Sequence, residues 1–374
     1  MDFNLPAEDD PRRVEVRKWF DSHPKPSYRQ MSEQGYTAPN WPRPWGLSAD
    51  PELQYIIEEE TLRAGVTLPT QVNGIATNQC GQSLLTHGTE AQRQRFLPPA
   101  LACEEIWCML FSEPSGGSDL AGLRTTARRD GDHWVIKGMK TWNSIADHAH
   151  IGVVICRTDS TVPKHKGLSV FLIDMNSPGV QVRPIFDMSG EENEYCEVVL
   201  DDVRVPADRM LGNEGDGWRI VNEQLQTERQ YMAKPNAVWG SGPTARELLS
   251  GLIKSGKIKD PLVREEAAKL YVEGEVLRLL GYRAMSNRMN GKPAGLEGNL
   301  GKMLSSPHGQ RMTDLAKRTQ GAAGLVRNPD VLPLPEKPYG RFANWDYAFW
   351  FSPATTLGVG TQEVLRNTVS ERLL

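Results

Sequence analysis

Two stretches of this chain carry residues whose types and spacing could do chemistry. The first, GWRIVNEQLQTERQYMA, holds Trp218, Val221, Leu225, Glu228 and Met232 at steps of 3, 4, 3 and 4, so all five share one helix face. Four are apolar and Glu228 is the intruder. A carboxylate on such a face is costly unless it is paired or changes its protonation state. It is either an ion-pair partner for an arginine of a neighbouring helix or a base whose pKa is raised by desolvation. The second stretch, FSEPSGGSD at 111–119, sets two glycines beside a proline among hydroxyls and carboxylates. A surface turn accounts for these residues when they are read alone. His148 and His150 form an HxH with no Cys or carboxylate cluster beside it, which reads as a surface pair, and no metal site is expected.

The elements that must position these groups fall into three segments. From about Val14 to Cys108 the period is helical. ELQYIIEEETLRAG carries Leu53, Ile56, Ile57 and Leu62 at helical spacing, with Glu58, Glu59 and Glu60 expected partly on a solvated face. TEAQRQRFLPPAL predicts a short helix that starts at Thr89 and is stopped by Pro98 and Pro99. From about Met109 to Arg209 the period is two. TTARRDGDHWVIKGMKTW predicts a hairpin, with Trp134 and Ile136 alternating against Val135 and Lys137. IGVVICRTD, LSVFLIDM and YCEVVLDDVRVP predict further strands. After Gly217 the helical period returns. Asp260 and Pro261 open a long helix with Leu262, Leu270, Leu277 and Ala284 recurring along it. SPHGQRMTDLAKRTQGAAG and TQEVLRNTVSERLL predict two more helices.

The totals limit the function. The chain has 374 residues, enough for two or three domains, and its formal net charge of −4 gives no nucleic acid or anionic membrane an electrostatic reason to bind. Five cysteines without CxxC spacing read as reduced residues of a cytoplasmic protein. The start, MDFNLPAEDDPRR, is acidic and lacks the apolar core of a signal peptide, and no apolar run has membrane-spanning length.

In order and spacing, FSEPSGGSD, TTARRDGDHWVIKGMKTWNS, GLSVFLIDM, DDVRVPADRMLGNEGDGW and GTQEVLRNTVSERLL together resemble the acyl-CoA dehydrogenase family of flavoproteins. PNWPRPWG, HGTEAQRQRFLPP and SPHGQRM are similar to bacterial members that act on bulky, steroid-derived acyl-CoAs. The resemblance implies an α+β architecture: an N-terminal helical domain at 1–108, a middle β-barrel-like domain at 109–213 and a C-terminal four-helix bundle at 214–374. It implies FAD as cofactor, α,β-dehydrogenation of an acyl-CoA thioester, and an electron-transferring flavoprotein as acceptor. By the same resemblance, Phe111 and Ser112 approach the isoalloxazine ring, and Gly117 and Ser118 meet the pyrophosphate. Trp142, Asn143 and Ser144 match the family's ring-contacting W-I-T/S, although a core aromatic also accounts for Trp142. Gly321 and Ala322 match a glycine turn that meets the ADP part from a neighbouring subunit, and Thr361 and Glu363 match a C-terminal cofactor loop.

The chain departs from the family pattern in three places. Many members carry the catalytic Glu in a Y-E-G-T loop, which here reads GVGT with Val359 at the Glu position. Other members carry the base on the first helix of the C-terminal bundle in an E-R pair, where Glu228 and Arg229 stand. The family's R-x-x-F-G segment is replaced by SGKIKDPLVREEAAKL, and the sequence ends with SERLL. These departures resemble members that assemble as α2β2 heterotetramers. Two readings follow: a catalytic subunit with Glu228 as base, in a homo- or hetero-oligomer, or a non-catalytic partner that completes a flavin site. An oxidase is not separated from a dehydrogenase by these residues. A nucleic-acid-binding relative lacks its basic stripe here.

Overall fold

The computed structural model describes residues 6–188, 195–232, 243–292, 295–326 and 345–373, without the side chains of 226, 228–232, 372 and 373. Contacts divide the chain into two compact units, Leu5–Thr227 and Glu228–Leu374, the first of which includes residues of both the helical and the β segments.

The first unit opens with helices α1 (Pro11–Ser22), α2 (Tyr28–Glu33) and α3 (Pro51–Arg63). Asp10, Ser27 and Asp50 cap them by accepting backbone N–H groups of the first turn. Val16, Phe20, Met31, Tyr36, Ile56 and Ile57 form their common core. Glu60 departs from the solvated face expected of it: its side chain is 1% exposed. Residues 53, 56, 57 and 60 fall on one helix face, and Arg13, Arg17 and Arg63 close on Glu60 there, at 3.2, 2.7 and 2.5 Å. Burial alone would raise the Glu60 carboxyl pKa, but hydrogen bonds from Arg17, Arg63 and Arg13 outweigh it and hold the group at about 2. Leu62, two residues further on, points off that face and is exposed.

Helices α4 (Pro69–Val72), α5 (Gly81–His87) and α6 (Glu90–Leu101) follow, with a π-helical turn Ile75–Cys80 leading into α5. Thr89 caps α6 through a capping box, but Pro98 and Pro99 do not stop the helix. They lie inside its last turn, where the missing N–H groups remove only two ladder bonds and Ala102 N–H still reaches the Pro98 carbonyl at 3.0 Å.

Among the described residues, the sheet of this unit has eight strands: β1 (Trp107–Leu110), β2 (Thr126–Asp130), β3 (His133–Ser144), β4 (Ile151–Arg157), β5 (Leu168–Asp174), β6 (Val180–Ile185), β7 (Tyr195–Pro206) and β8 (Met210–Leu211). Their order is β6-β7-β3-β2-β4-β5-β8, with β1 paired parallel to β4. The β2–β3 hairpin turns at Gly131 and Asp132, and Trp134 and Ile136 face inward as their alternation requires. Helix α7 (Gly217–Met232) leaves the sheet through Gly217, where an added Cβ would stand 2.6 Å from the Leu168 carbonyl.

The second unit contains α8 (Ala245–Lys254), α9 (Pro261–Met289), α10 (Glu297–Arg318), α11 (Trp345–Phe351), α12 (Ala354–Leu357) and α13 (Gln362–Leu373). Asp260 caps α9 and Pro261 is its first residue. Leu270 and Leu277 are buried, whereas Leu262, in the first turn, is exposed. Helix α10 starts well before Ser306 and runs through Pro307. Leu248, Leu252, Leu270, Met312 and Leu315 share a core in this unit. Among the described residues no helix is long and apolar enough to cross a membrane.

Candidate active site

The glycine-rich stretch begins where β1 ends. Phe111 is buried, Ser112 is half-buried, and Gly117 and Ser118 lie in the loop beyond. Glu113 and Gly116 exchange two backbone hydrogen bonds of 3.0 Å, which makes 113–116 a tight turn. Glycine is not demanded there by the chain's own packing. A Cβ on Gly116 or Gly117 would find only ordinary contacts, the nearest at 3.6 and 3.5 Å. The small residues leave room for something outside the chain.

The end of β3 is fastened to this stretch. Thr141 N–H donates to the Ser112 carbonyl at 2.9 Å, and Asn143 Nδ2 donates to the Met109 carbonyl at 2.8 Å. Between them the pairing of β3 with β7 slips, and Trp142 adopts φ +62°. A bulky residue in the left-handed region is strained by about 1–3 kcal/mol and persists only where its surroundings fix it. The flip turns the indole out of the sheet, to 58% exposure, with its edge against Tyr195 at 5.9 Å. Trp142 is therefore not a core aromatic. Asn143 is 3% exposed, and its Oδ1 has no partner among the described residues. Ser144 completes the strand end, half-buried. Phe111, Ser112, Trp142, Asn143 and Ser144 thus form one ledge, with a flat exposed aromatic and an unmet buried acceptor. A planar heterocycle carrying N–H donors fits that chemistry.

Two residues behind the ledge were not singled out in the sequence. Lys140, with no exposed side-chain surface, donates to the Phe111 carbonyl at 3.0 Å and to Glu113 Oε1 at 2.9 Å. Glu113 also accepts from Arg124 N–H at 2.7 Å and Thr125 N–H at 2.9 Å. Burial pushes the Glu113 carboxyl pKa up, but the Lys140 charge and these donors bring it below its ordinary value. The signal was present: period two carries the inward face from Trp134 and Ile136 on to Lys140.

Helix α7 holds Glu228, whose side chain lies outside the described residues. Two turns earlier Val221 is fully buried, and one turn earlier Gln224 is 1% exposed, with both amide atoms unpartnered among the described residues. Trp218 and Leu225 pack against the core of the first unit. On the flank of α7, Glu223 meets His87 Nε2 at 2.6 Å. The described part of the Glu228 face is apolar apart from one buried carboxamide.

In the second unit, Gly321 opens a 3-10 turn at φ +60°, with Ala322 exposed beside it. Val359 and Gly360 both adopt positive φ, +61° and +89°, just before α13. Thr361 and Glu363 begin that helix. The Glu363 backbone N–H and the Thr361 hydroxyl hold the Glu363 carboxyl below its ordinary pKa. Among the described residues no cluster of three or more His, Cys, Asp or Glu could hold a metal ion.

Three domain models match along the chain: the acyl-CoA dehydrogenase N-terminal domain at 7–104, its middle domain at 108–203 and its C-terminal domain at 215–374. The chain belongs to the acyl-CoA dehydrogenase family. It is an α+β oxidoreductase of the class acting on CH–CH bonds, and FAD is its cofactor. Among curated relatives of this acyl-CoA dehydrogenase, FadE34 of Mycobacterium tuberculosis is 34% identical over 92% of the chain. The chain spans 45% of that relative's length. FadE29 of the same organism is 38% identical, over 98% of this chain and 92% of its own. IpdE1, again from that organism, is 33% identical over 92% and 86%. Among solved structures, the Tcur3481-Tcur3483 steroid ACAD superimposes with a TM-score of 0.76 at 27% identity, covering 100% of this chain and 98% of its own. The ChsE4-ChsE5 complex from Mycobacterium tuberculosis gives 0.74 at 25%, with both chains fully covered.

Proposed function

We propose that this chain catalyses α,β-dehydrogenation of a bulky, steroid-type acyl-CoA thioester, with Glu228 as the base that removes the α-proton. The observation that carries this reading is the ledge at the end of β3, where a strained, exposed Trp142 stands beside the backbone of Phe111 and Ser112. Phe111, Ser112, Trp142, Asn143 and Ser144 would hold the isoalloxazine ring, and Gly117 and Ser118 would receive the pyrophosphate. Gly321 and Ala322 would meet the ADP part of a cofactor held by a neighbouring subunit, and Thr361 and Glu363 would belong to a C-terminal loop that also meets the cofactor. Bound FAD supplies the hydride acceptor, and every other task falls to the protein. The apolar face of α7 favours a base with a raised pKa at Glu228. Val359 cannot take a proton, and its loop is left with backbone N–H groups to offer the thioester carbonyl, where they would make the α-proton more acidic.

The bulky substrate is supported by the likeness to the Tcur3481-Tcur3483 relative, a steroid ACAD. The two-component relatives support an assembly of this chain with a paralogue, for which the proposed form is α2β2. An electron-transferring flavoprotein would be the acceptor, and the cytoplasm the location. A second reading, a non-catalytic subunit that completes the partner's flavin site, is favoured by Val359 alone. The visible absorption spectrum tests the flavin site. Flavin bands are expected when the chain is purified alone or with its co-expressed paralogue, and a colourless protein in both preparations would contradict the site.

A further inference from the structure

The inference rests on the reading that Phe111 and Ser112 face the flavin, and it concerns what stands behind them. The carbonyl of Phe111 and the N–H of Ser112 belong to one peptide group. In a planar trans peptide, these two groups point in opposite directions. Lys140 Nζ, fully buried, donates to that carbonyl at 3.0 Å, while Glu113 fixes the ammonium at 2.9 Å. Arg124 N–H and Thr125 N–H hold the Glu113 carboxylate in turn, at 2.7 and 2.9 Å. The Ser112 carbonyl is taken by Thr141 N–H, whereas the Ser112 N–H meets no acceptor among the described residues. A cation on the oxygen of a peptide draws electron density from its nitrogen, so the N–H on the far side becomes a stronger donor.

We infer that Lys140 is a positioning residue for the flavin: its ammonium polarises the Phe111–Ser112 peptide, whose N–H then stabilises the negative charge that reduction places on a carbonyl of the flavin's pyrimidine ring. Glu113 keeps the ammonium in place and balances its charge in the oxidised protein. The pair therefore acts on the ease of flavin reduction as well as on the stability of the turn. A purely structural ion pair would act on stability alone. Replacing both members of a buried pair with uncharged side chains is often close to neutral for stability, which separates the two roles.

The test compares wild-type protein, assembled with its paralogue if flavin requires it, with Lys140→Met and with the double variant Glu113→Gln/Lys140→Met. The readouts are flavin content, melting temperature and the flavin midpoint potential. The expected double variant keeps its flavin, and its equilibrium for reduction falls at least about tenfold, which is about 30 mV for a two-electron couple. A flavin-loaded double variant with the wild-type potential would overturn the inference. If neither variant holds flavin, the wild-type protein decides through its infrared spectrum with flavin labelled at the pyrimidine carbonyls. One carbonyl stretch is expected below its value for flavin in water. Both stretches at or above that value would overturn the inference. A wild-type protein without flavin in either assembly would instead contradict the underlying site, and this inference with it.

Discussion

Trp142 concentrates the chemistry of the first unit. Its backbone is strained and its indole exposed, and among the described residues the aromatic contact it makes is with the ring of Tyr195. A ring bound against it would supply a compensating contact. Trp142→Ala is therefore expected to weaken flavin retention, read as flavin per chain after gel filtration, with little change in melting temperature. Unchanged flavin content would remove Trp142 from the site. Much of this was legible in the sequence: FSEPSGGSD and KTWNS gave the residues of the ledge. The flip at Trp142 was not, because a β-bulge depends on how β3 registers against β7, and period-two alternation does not encode it. The Lys140–Glu113 pair was half legible. Alternation gives the inward face of Lys140, but its partner comes from a loop 27 residues away.

Among the elements, the N-terminal helices depend on one carboxylate. Glu60 is buried under three arginines, and removing its charge leaves them facing an uncharged amide. Glu60→Gln is expected to destabilise the first unit by about 3 kcal/mol, measured by denaturant unfolding. The pH dependence follows from the same contacts. The carboxyl is held at about 2, against an ordinary 4.5, so its contribution is full above about pH 4.5 and is lost as pH falls toward 2. Wild-type protein should lose more stability than Glu60→Gln across that range. Equal losses would mean that Glu60 is not the group responsible. Helix periods gave α3 from the sequence, but an acidic run reads as solvent-facing when two of the three arginines that bury it lie on α1, Arg17 43 residues earlier. The expected stop of α6 at Pro98 failed because the proline rule describes helix interiors, and these prolines stand in the last turn.

At the scale of the whole molecule, the order of helices, strands and helices was readable because each segment keeps its own hydrophobic period over many residues. What a period cannot carry is an assembly. The missing R-x-x-F-G segment and Val359 both bear on groups that a second chain would supply. Native mass spectrometry of the co-expressed pair is expected to give two copies of each chain. A stable, flavin-loaded homo-oligomer of this chain alone would contradict the two-component assembly while leaving the reaction in place.

The reaction depends on one group. Glu228 stands on the face of α7 that otherwise carries Val221, Leu225 and the buried amide of Gln224. The most direct measurement is anaerobic stopped-flow reduction of the bound flavin by a steroid-type acyl-CoA, comparing wild type with Glu228→Gln at equal flavin content. The account predicts that the flavin of the variant stays oxidised while the acyl-CoA still binds, with the rate of bleaching down by about 10³-fold or more. Bleaching near the wild-type rate would show that the proton leaves to another base, and Glu228 would then be no more than a charged residue on an apolar helix face.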